Sequence, residues 1–211
     1  MLEFVCKCRK GFANTKIILI SLEDYVLHPK LNQINKIQKN PEYVKMCVDK
    51  LCPEVCVPLY NVVVNNKVEF LHRTSTENPF FTKYFIWLDS GYGHNKFHIP
   101  DKHQWNPANY LQLASTDQIV INTLQDSLVV ENYREFFKAH QDFMDGGLIV
   151  GTKKAIQQLY NAYYPMIEEI MSEGIVDDDQ YFMTMAYARN KELFSLVRIP
   201  GWFYRHYIML S

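Results

Sequence analysis

The chain has 211 residues, 48% of them hydrophobic and 21% charged, a composition that fits one ordinary globular domain with a real core. Its 22 basic and 23 acidic side chains leave a formal net charge of -1, so it lacks the electrostatic footprint of a nucleic-acid-binding protein or of a binder of anionic membranes. No apolar run approaches the roughly 20 residues that span a bilayer, and Met1-Leu2-Glu3-Phe4-Val5-Cys6-Lys7 has no signal-peptide core, which sets the expectation of a cytoplasmic protein without a membrane span.

Cys6, Cys8, Cys47, Cys52 and Cys56 are odd in number, and the C-x-C and C-x-x-x-C spacings do not make a matched pair of zinc knuckles. Reduced, structural thiols are expected. The 14 Tyr, 13 Phe and 3 Trp suit stacking on sugar faces and filling a core equally well.

In chain order, Lys16-Ile17-Ile18-Leu19-Ile20 is a short β-branched run that predicts a buried strand. Leu31, Ile34 and Ile37 predict a helix after Pro29, and Pro41 opens another short one. From Val57 to His72 the positions Tyr60, Val63, Val64, Phe70 and Leu71 follow helical spacing; Val62-Val63-Val64 also allows a strand, but the helix is preferred. Tyr84-Phe85-Ile86-Trp87-Leu88 predicts a buried parallel strand that stops at Asp89-Ser90-Gly91. The stretch from Tyr92 to Asn109, with His94, His98 and His103, predicts a long loop.

A strand is expected at Gln118–Asn122, a helix near Glu131–His140, and a short strand at Leu148-Ile149-Val150 just after Gly146-Gly147. Thr152 predicts an N-cap for a long helix with the stripe Ala155, Ile156, Leu159, Tyr163, Met166, Ile167 and Ile170, ended by Gly174 and kinked or broken at Pro165. A last helix is expected from Asp177-Asp178-Asp179-Gln180. Alternating strands and helices predict a single α/β domain over residues 1–211, with ligands gathering beyond the carboxyl ends of the strands.

Three places carry candidate chemistry. Asp89 sits at the carboxyl end of the clearest strand, with glycines following that let backbone approach a ligand. There a carboxylate can hold a divalent cation against a diphosphate, or simply begin a turn. Gly146-Gly147, after Asp145, suits backbone lying against a flat ring, or a tight turn. Asp177 with Gln180 three residues on reads as a capping box, which accounts for one or two of the three acids; the third points to a ligand role for Asp178 or Asp179. His94 is a weak candidate metal ligand. Dehydrogenase, nucleoside-triphosphatase and serine-hydrolase motifs are missing.

Taken in order, Asn40-Pro41-Glu42-Tyr43, Val57-Pro58-Leu59-Tyr60-Asn61 with Lys67, Asn78-Pro79-Phe80, Trp87-Leu88-Asp89-Ser90-Gly91-Tyr92-Gly93-His94, Trp105-Asn106-Pro107, Gly146-Gly147-Leu148-Ile149-Val150-Gly151 and Asp177-Asp178-Asp179-Gln180 resemble the HtrL/YibB-like family, from about Asn14 to Trp202. That family is similar to GT-A glycosyltransferases. The resemblance implies a Rossmann-like, mainly parallel sheet with helices on both faces, and a nucleotide-sugar donor whose sugar passes to a glycan or other acceptor. It implies Mn2+ or Mg2+ at Asp89 with His94, donor contacts from Lys67, Asp145, Gly146, Gly147 and Gln180, and catalytic roles for Asp178 and Asp179. The chain departs from the pattern at Gly91, where a second metal-binding aspartate is usual. It also has only Met1 to Thr15 ahead of its first expected strand, too little for a nucleoside-binding strand-helix-strand unit. The expectation is therefore a shortened domain whose strand at Lys16–Ile20 lies at a sheet edge with apolar side chains exposed. A non-catalytic binding protein, or an inactive fragment of such an enzyme, is the alternative.

Overall fold

The structure is a computed structural model that describes residues 2–11, 14–89, 108–126, 128–141 and 143–199. A short helix α1 (Leu2–Cys8) precedes two turns of 3-10 helix at Leu22–Asp24 and His28–Lys30. Then follow α2 (Leu31–Gln38), α3 (Pro41–Met46), α4 (Pro53–Cys56), α5 (Pro58–Val64) and α6 (Lys67–Glu77). Prolines open three of these helices at the position where the missing N–H costs nothing, and Asn40 caps α3 by accepting the Glu42 N–H. The helical reading of Val57–His72 holds, divided at Asn65-Asn66 into α5 and α6.

Next come β1 (Tyr84–Leu88), α7 (Ala108–Ala114), β2 (Ile119–Thr123), α8 (Tyr133–Ala139), β3 (Met144–Thr152), α9 (Lys153–Ser172), α10 (Asp179–Arg189) and β4 (Phe194–Arg198). The four strands form one sheet in the order β1-β3-β2-β4. β3 runs antiparallel to both β1 and β2, and only β2 and β4 are parallel. The sheet is thus mixed, not mainly parallel. Strand direction depends on how distant segments pair, which local apolar runs do not encode.

Alternation along the strands divides the core. Ile119, Ile121 and Ile149 face the larger cluster with α6, α9 and α10, while Val120, Leu148 and Val150 pack with Tyr110 and Ala114 of α7. Helices therefore cover both faces, as an α/β sheet requires. α9 is the main brace, burying Ala155, Ile156, Leu159, Tyr163, Met166, Ile167 and Ile170. Thr152 caps it by accepting the Ala155 N–H.

Five local expectations are corrected. Thr15–Ile20 forms no strand, and Ile17, Ile18 and Leu19 are exposed; β-branched residues favour a pleat only when a neighbouring strand is there to pair and pack with. Pro165 lies inside α9 without ending it, because burial of the surrounding stripe outweighs one lost hydrogen bond. Gly146 and Gly147 lie within β3, not before it. Asp178, not Asp177, caps α10, accepting the Gln180 and Tyr181 N–H groups at 3.0 and 3.1 Å. Leu88 ends β1 as an exposed residue, so the strand is not buried along its length.

Candidate functional site

The site is assembled around one lysine. Lys67 is the first residue of α6, and its Nζ lies 2.8 Å from Asp179 Oδ2, 3.2 Å from Asp89 Oδ2 and 3.3 Å from the Gly146 carbonyl oxygen. Its side chain is 12% exposed and that of Asp179 5%, whereas Asp89 at 33% borders solvent. A buried ammonium donating to three oxygens is satisfied both in charge and in hydrogen bonds.

Each partner arrives by a separate device. Asp89 follows the last residue of β1, and its backbone N–H donates to the Gly147 carbonyl at 3.0 Å, extending the β1–β3 ladder by one step. Trp87, two residues back and on the same side of the strand, donates its indole N–H to Asp89 Oδ1 at 2.7 Å and is fixed by stacking on Phe70 of α6. Asp179 is delivered by the Asp178 cap, which sets where α10 begins.

Gly146 is delivered by a register break. Ile121 pairs with Ile149, yet the next residue, Asn122, pairs with Asp145, so Gly146, Gly147 and Leu148 bulge out of the β2 ladder while Leu148 keeps its partner Leu88 on β1. A glycine is required at position 146. An ideal Cβ there would fall inside van der Waals contact of Asp179 Oδ2, 3.0 Å from its Cγ and 3.4 Å from Lys67 Nζ.

Two aspartates and one lysine share the centre, which explains how the ionisations differ. Burial opposes the Lys67 ammonium, but Asp179 and Asp89 outweigh it and hold its pKa above the ordinary lysine value. Burial raises the Asp179 carboxyl; Lys67 opposes that rise and Asp89 adds to it, since one ammonium serves two carboxylates. Asp178 is raised to about 7, first by burial and then by Asp179, against the pull of its two capping N–H groups. The Tyr60 phenol of α5 is held above its usual range by burial and then by the charges of Asp178 and Asp179, with Asp89 adding to them.

Of the residues singled out from sequence, Lys67, Asp89, Gly146 and Asp179 meet directly, with Asp178 one residue away. Asp145 does not join them in the same way. It lies one strand position from Gly146, accepts the Gly147 N–H through Oδ1 at 3.0 Å, and places its charge near the Tyr110 phenol. Gln180 gives its backbone N–H to the Asp178 cap. His94 lies outside the described residues. Trp87 and Tyr60 carried no role in the sequence reading; the i, i+2 spacing of Trp87 and Asp89 was the available signal for the first.

Among the described residues no three His, Cys, Asp or Glu side chains are grouped to hold a metal ion, and no helix is long and apolar enough to cross a membrane. Asp89 gives one carboxylate oxygen to Trp87 and the other to Lys67, and the expected second metal ligand, His94, lies outside the described residues.

The family described as "Bacterial protein of unknown function (HtrL_YibB)" matches residues 1–210. Protein HtrL of Escherichia coli (strain K12) is 24% identical over 187 residues, a match that covers 86% of this chain and 64% of HtrL. The chain thus spans less than two thirds of that relative's length. No solved structure matches it significantly. The chain belongs to the HtrL/YibB family.

Proposed function

For this member of the HtrL/YibB family, we propose that the site around Lys67 is the diphosphate-and-sugar side of a GT-A-like, nucleotide-sugar-dependent glycosyltransferase, with a glycan or other hydroxyl compound as acceptor. One observation carries the reading. A single ammonium gathers Asp89, the Gly146 carbonyl and Asp179, which lie 22, 79 and 112 residues away in sequence, where two acids and a ligand-tolerant backbone adjoin.

In such a transfer an acceptor oxygen bonds to the anomeric carbon as the bond to the diphosphate breaks, the nucleoside diphosphate leaves with the electron pair, and the acceptor proton must be taken up. Asp178, with its pKa held at about 7, suits proton uptake near neutral pH. Asp179 is the carboxylate assigned to the anomeric carbon, and Lys67 opposes the rise in its pKa that burial causes. The missing side chain at Gly146 lets Asp179 lie directly against the β3 backbone, so that the carboxylate is held where the sugar is to react. Gly147 and Gln180 border this site as donor contacts, and the buried Asp145 supports them by accepting the Gly147 N–H. Mn2+ or Mg2+, if bound at Asp89, would supply charge neutralisation for the departing diphosphate.

The test is release of nucleoside diphosphate from a panel of nucleotide sugars, with and without Mn2+ or Mg2+, by the protein and by Asp179→Asn and Asp178→Asn variants. The expected result is release from one donor that falls by about 10²-fold in a variant. Donor binding without release assigns a non-catalytic binding role instead. Neither binding nor release with any donor overturns the proposal.

A further inference from the structure

Lys67 and the two acids of α10 belong to elements that share no backbone ladder, so something must hold their separation. The α5–α6 junction supplies it. Asn65 is fully buried, two residues before Lys67, and every polar atom of its side chain is used. Its Nδ2 donates to the Asn61 carbonyl at 2.9 Å and to the Asp177 carbonyl at 3.1 Å, and its Oδ1 accepts the Tyr163 hydroxyl at 2.8 Å. Its own carbonyl accepts the Tyr164 hydroxyl at 3.0 Å. Asn66, beside it, points the other way and accepts the Val26 N–H through Oδ1 at 3.0 Å.

The Asp177 carbonyl stands immediately before the Asp178 cap and Asp179. One amide side chain therefore ties the residue preceding the acids to the junction two residues before the lysine's helix, and two tyrosines of α9 fix the orientation of the joint from the core. We infer that Asn65 is a positioning residue: it sets the distance between Lys67 and Asp179 by bonding the Asp177 carbonyl while Tyr163 locks its amide. The inference rests on the reading of the Lys67 site as functional, but its geometry does not depend on the reaction.

Only an amide meets the requirement. The position needs two donors toward carbonyl oxygens and one acceptor toward a hydroxyl in a space without water. Aspartate has the same shape but would set a carboxylate against the Asn61 and Asp177 carbonyls, and leucine would remove both the acceptor of the Tyr163 hydroxyl and the tie to the Asp177 carbonyl. A packing role would tolerate either shape far better.

The test reads the Lys67 ammonium itself. Hydrogen exchange at Nζ, followed by NMR, reports whether the three acceptors still enclose it, and backbone amides of Leu71 and Phe182 report whether α6 and α10 remain folded. In Asn65→Ala, Lys67 protection is expected to fall by about tenfold or more while Leu71 and Phe182 keep theirs, the pattern of a local opening. Tyr163→Phe, which removes one hydroxyl and keeps the packing, is expected to give the same pattern more weakly, and serves where Asn65→Ala does not fold. Lys67 protection unchanged in the folded variant, or falling only in step with Leu71 and Phe182, overturns the inference. Failure of every nucleotide sugar in the release assay, with Lys67 protection still dependent on Asn65, would instead overturn the functional reading alone.

Discussion

Gly146→Ala is the sharpest perturbation of the site, because it adds one methyl group at a place where the geometry leaves no room. The new carbon would overlap Asp179 Oδ2 and sit 3.0 Å from Asp179 Cγ and 3.4 Å from Lys67 Nζ. Relief by rotating Asp179 is poor, since its side chain is 5% exposed and anchored to Lys67 at 2.8 Å. Overpacking costs about 1–3 kcal/mol, and loosening a buried ion pair adds toward its full rupture cost of about 3–5 kcal/mol, so a loss of about 2–4 kcal/mol is expected. For a domain of this size that lowers Tm by about 5–15 °C. Thermal unfolding of four proteins closes the argument: the parent, Gly146→Ala, Asp179→Ala and the double variant. In the Asp179→Ala background the added methyl has space, and its cost is expected to fall below about 1 kcal/mol. A Tm for Gly146→Ala within about 1 °C of the parent, or the same penalty in both backgrounds, would refute the close approach of β3 to α10.

Lys67→Met removes the ammonium but keeps an unbranched side chain as far as Cε. It leaves Asp179 buried without its counter-charge, and chemical denaturation at pH 8 is expected to show a loss of about 3–5 kcal/mol that shrinks as the pH falls toward 5 and the acid protonates. Asp178 has a folded pKa raised from 3.8 to about 7, so the folded state holds the extra proton and its contribution to stability is lost as pH rises between those values. Asp178→Asn, which still caps a helix, is expected to remove that decline, a difference of at most about 4 kcal/mol at pH 8, seen as a flatter stability profile from pH 4 to 8. Thr152→Ala is expected to cost about 1–2 kcal/mol in denaturant unfolding, since it removes the α9 cap and the bond to Asp117 Oδ1, while donor release stays within about twofold of the parent.

The sequence carried the elements better than their arrangement, and the reason is physical range. The α9 stripe, the Thr152 cap and the apolar run of β1 are set by residues within a turn or a pleat of one another, so periodicity and capping chemistry read them directly. The order β1-β3-β2-β4 depends on pairings between segments tens of residues apart, and the run at Ile17–Leu19, which looks like a strand, has the composition without the partner. The one-residue displacement of the α10 cap had a similar cause. Three consecutive aspartates offer three cap oxygens, and tertiary contact decides among them: the Asp177 carbonyl goes to Asn65, the Asp179 carboxylate to Lys67, and Asp178 is left to accept the helix N–H groups.

The centre of the site looks ordinary in one dimension for the same physical reason. A lysine opening a helix would normally point into water, against the favourable end of the helix dipole for an acid. Lys67 instead turns inward because the β3 bulge brings the Gly146 carbonyl to it and two distant carboxylates converge on the same point. None of those three oxygens is local. What sequence did preserve was the cost of the arrangement: a glycine where any side chain would strike Asp179, an Asn-Asn pair where two helices could have been one, and one more aspartate than a cap requires. Each of these is a residue that local structure did not need, and each lies within two residues of a group that touches Lys67 or beside it. Departures from local preference that converge in space on one buried charge mark the place where folding has been made to serve a site, and they are what single out Lys67 from exposed lysines on other helices such as Lys45 and Lys154.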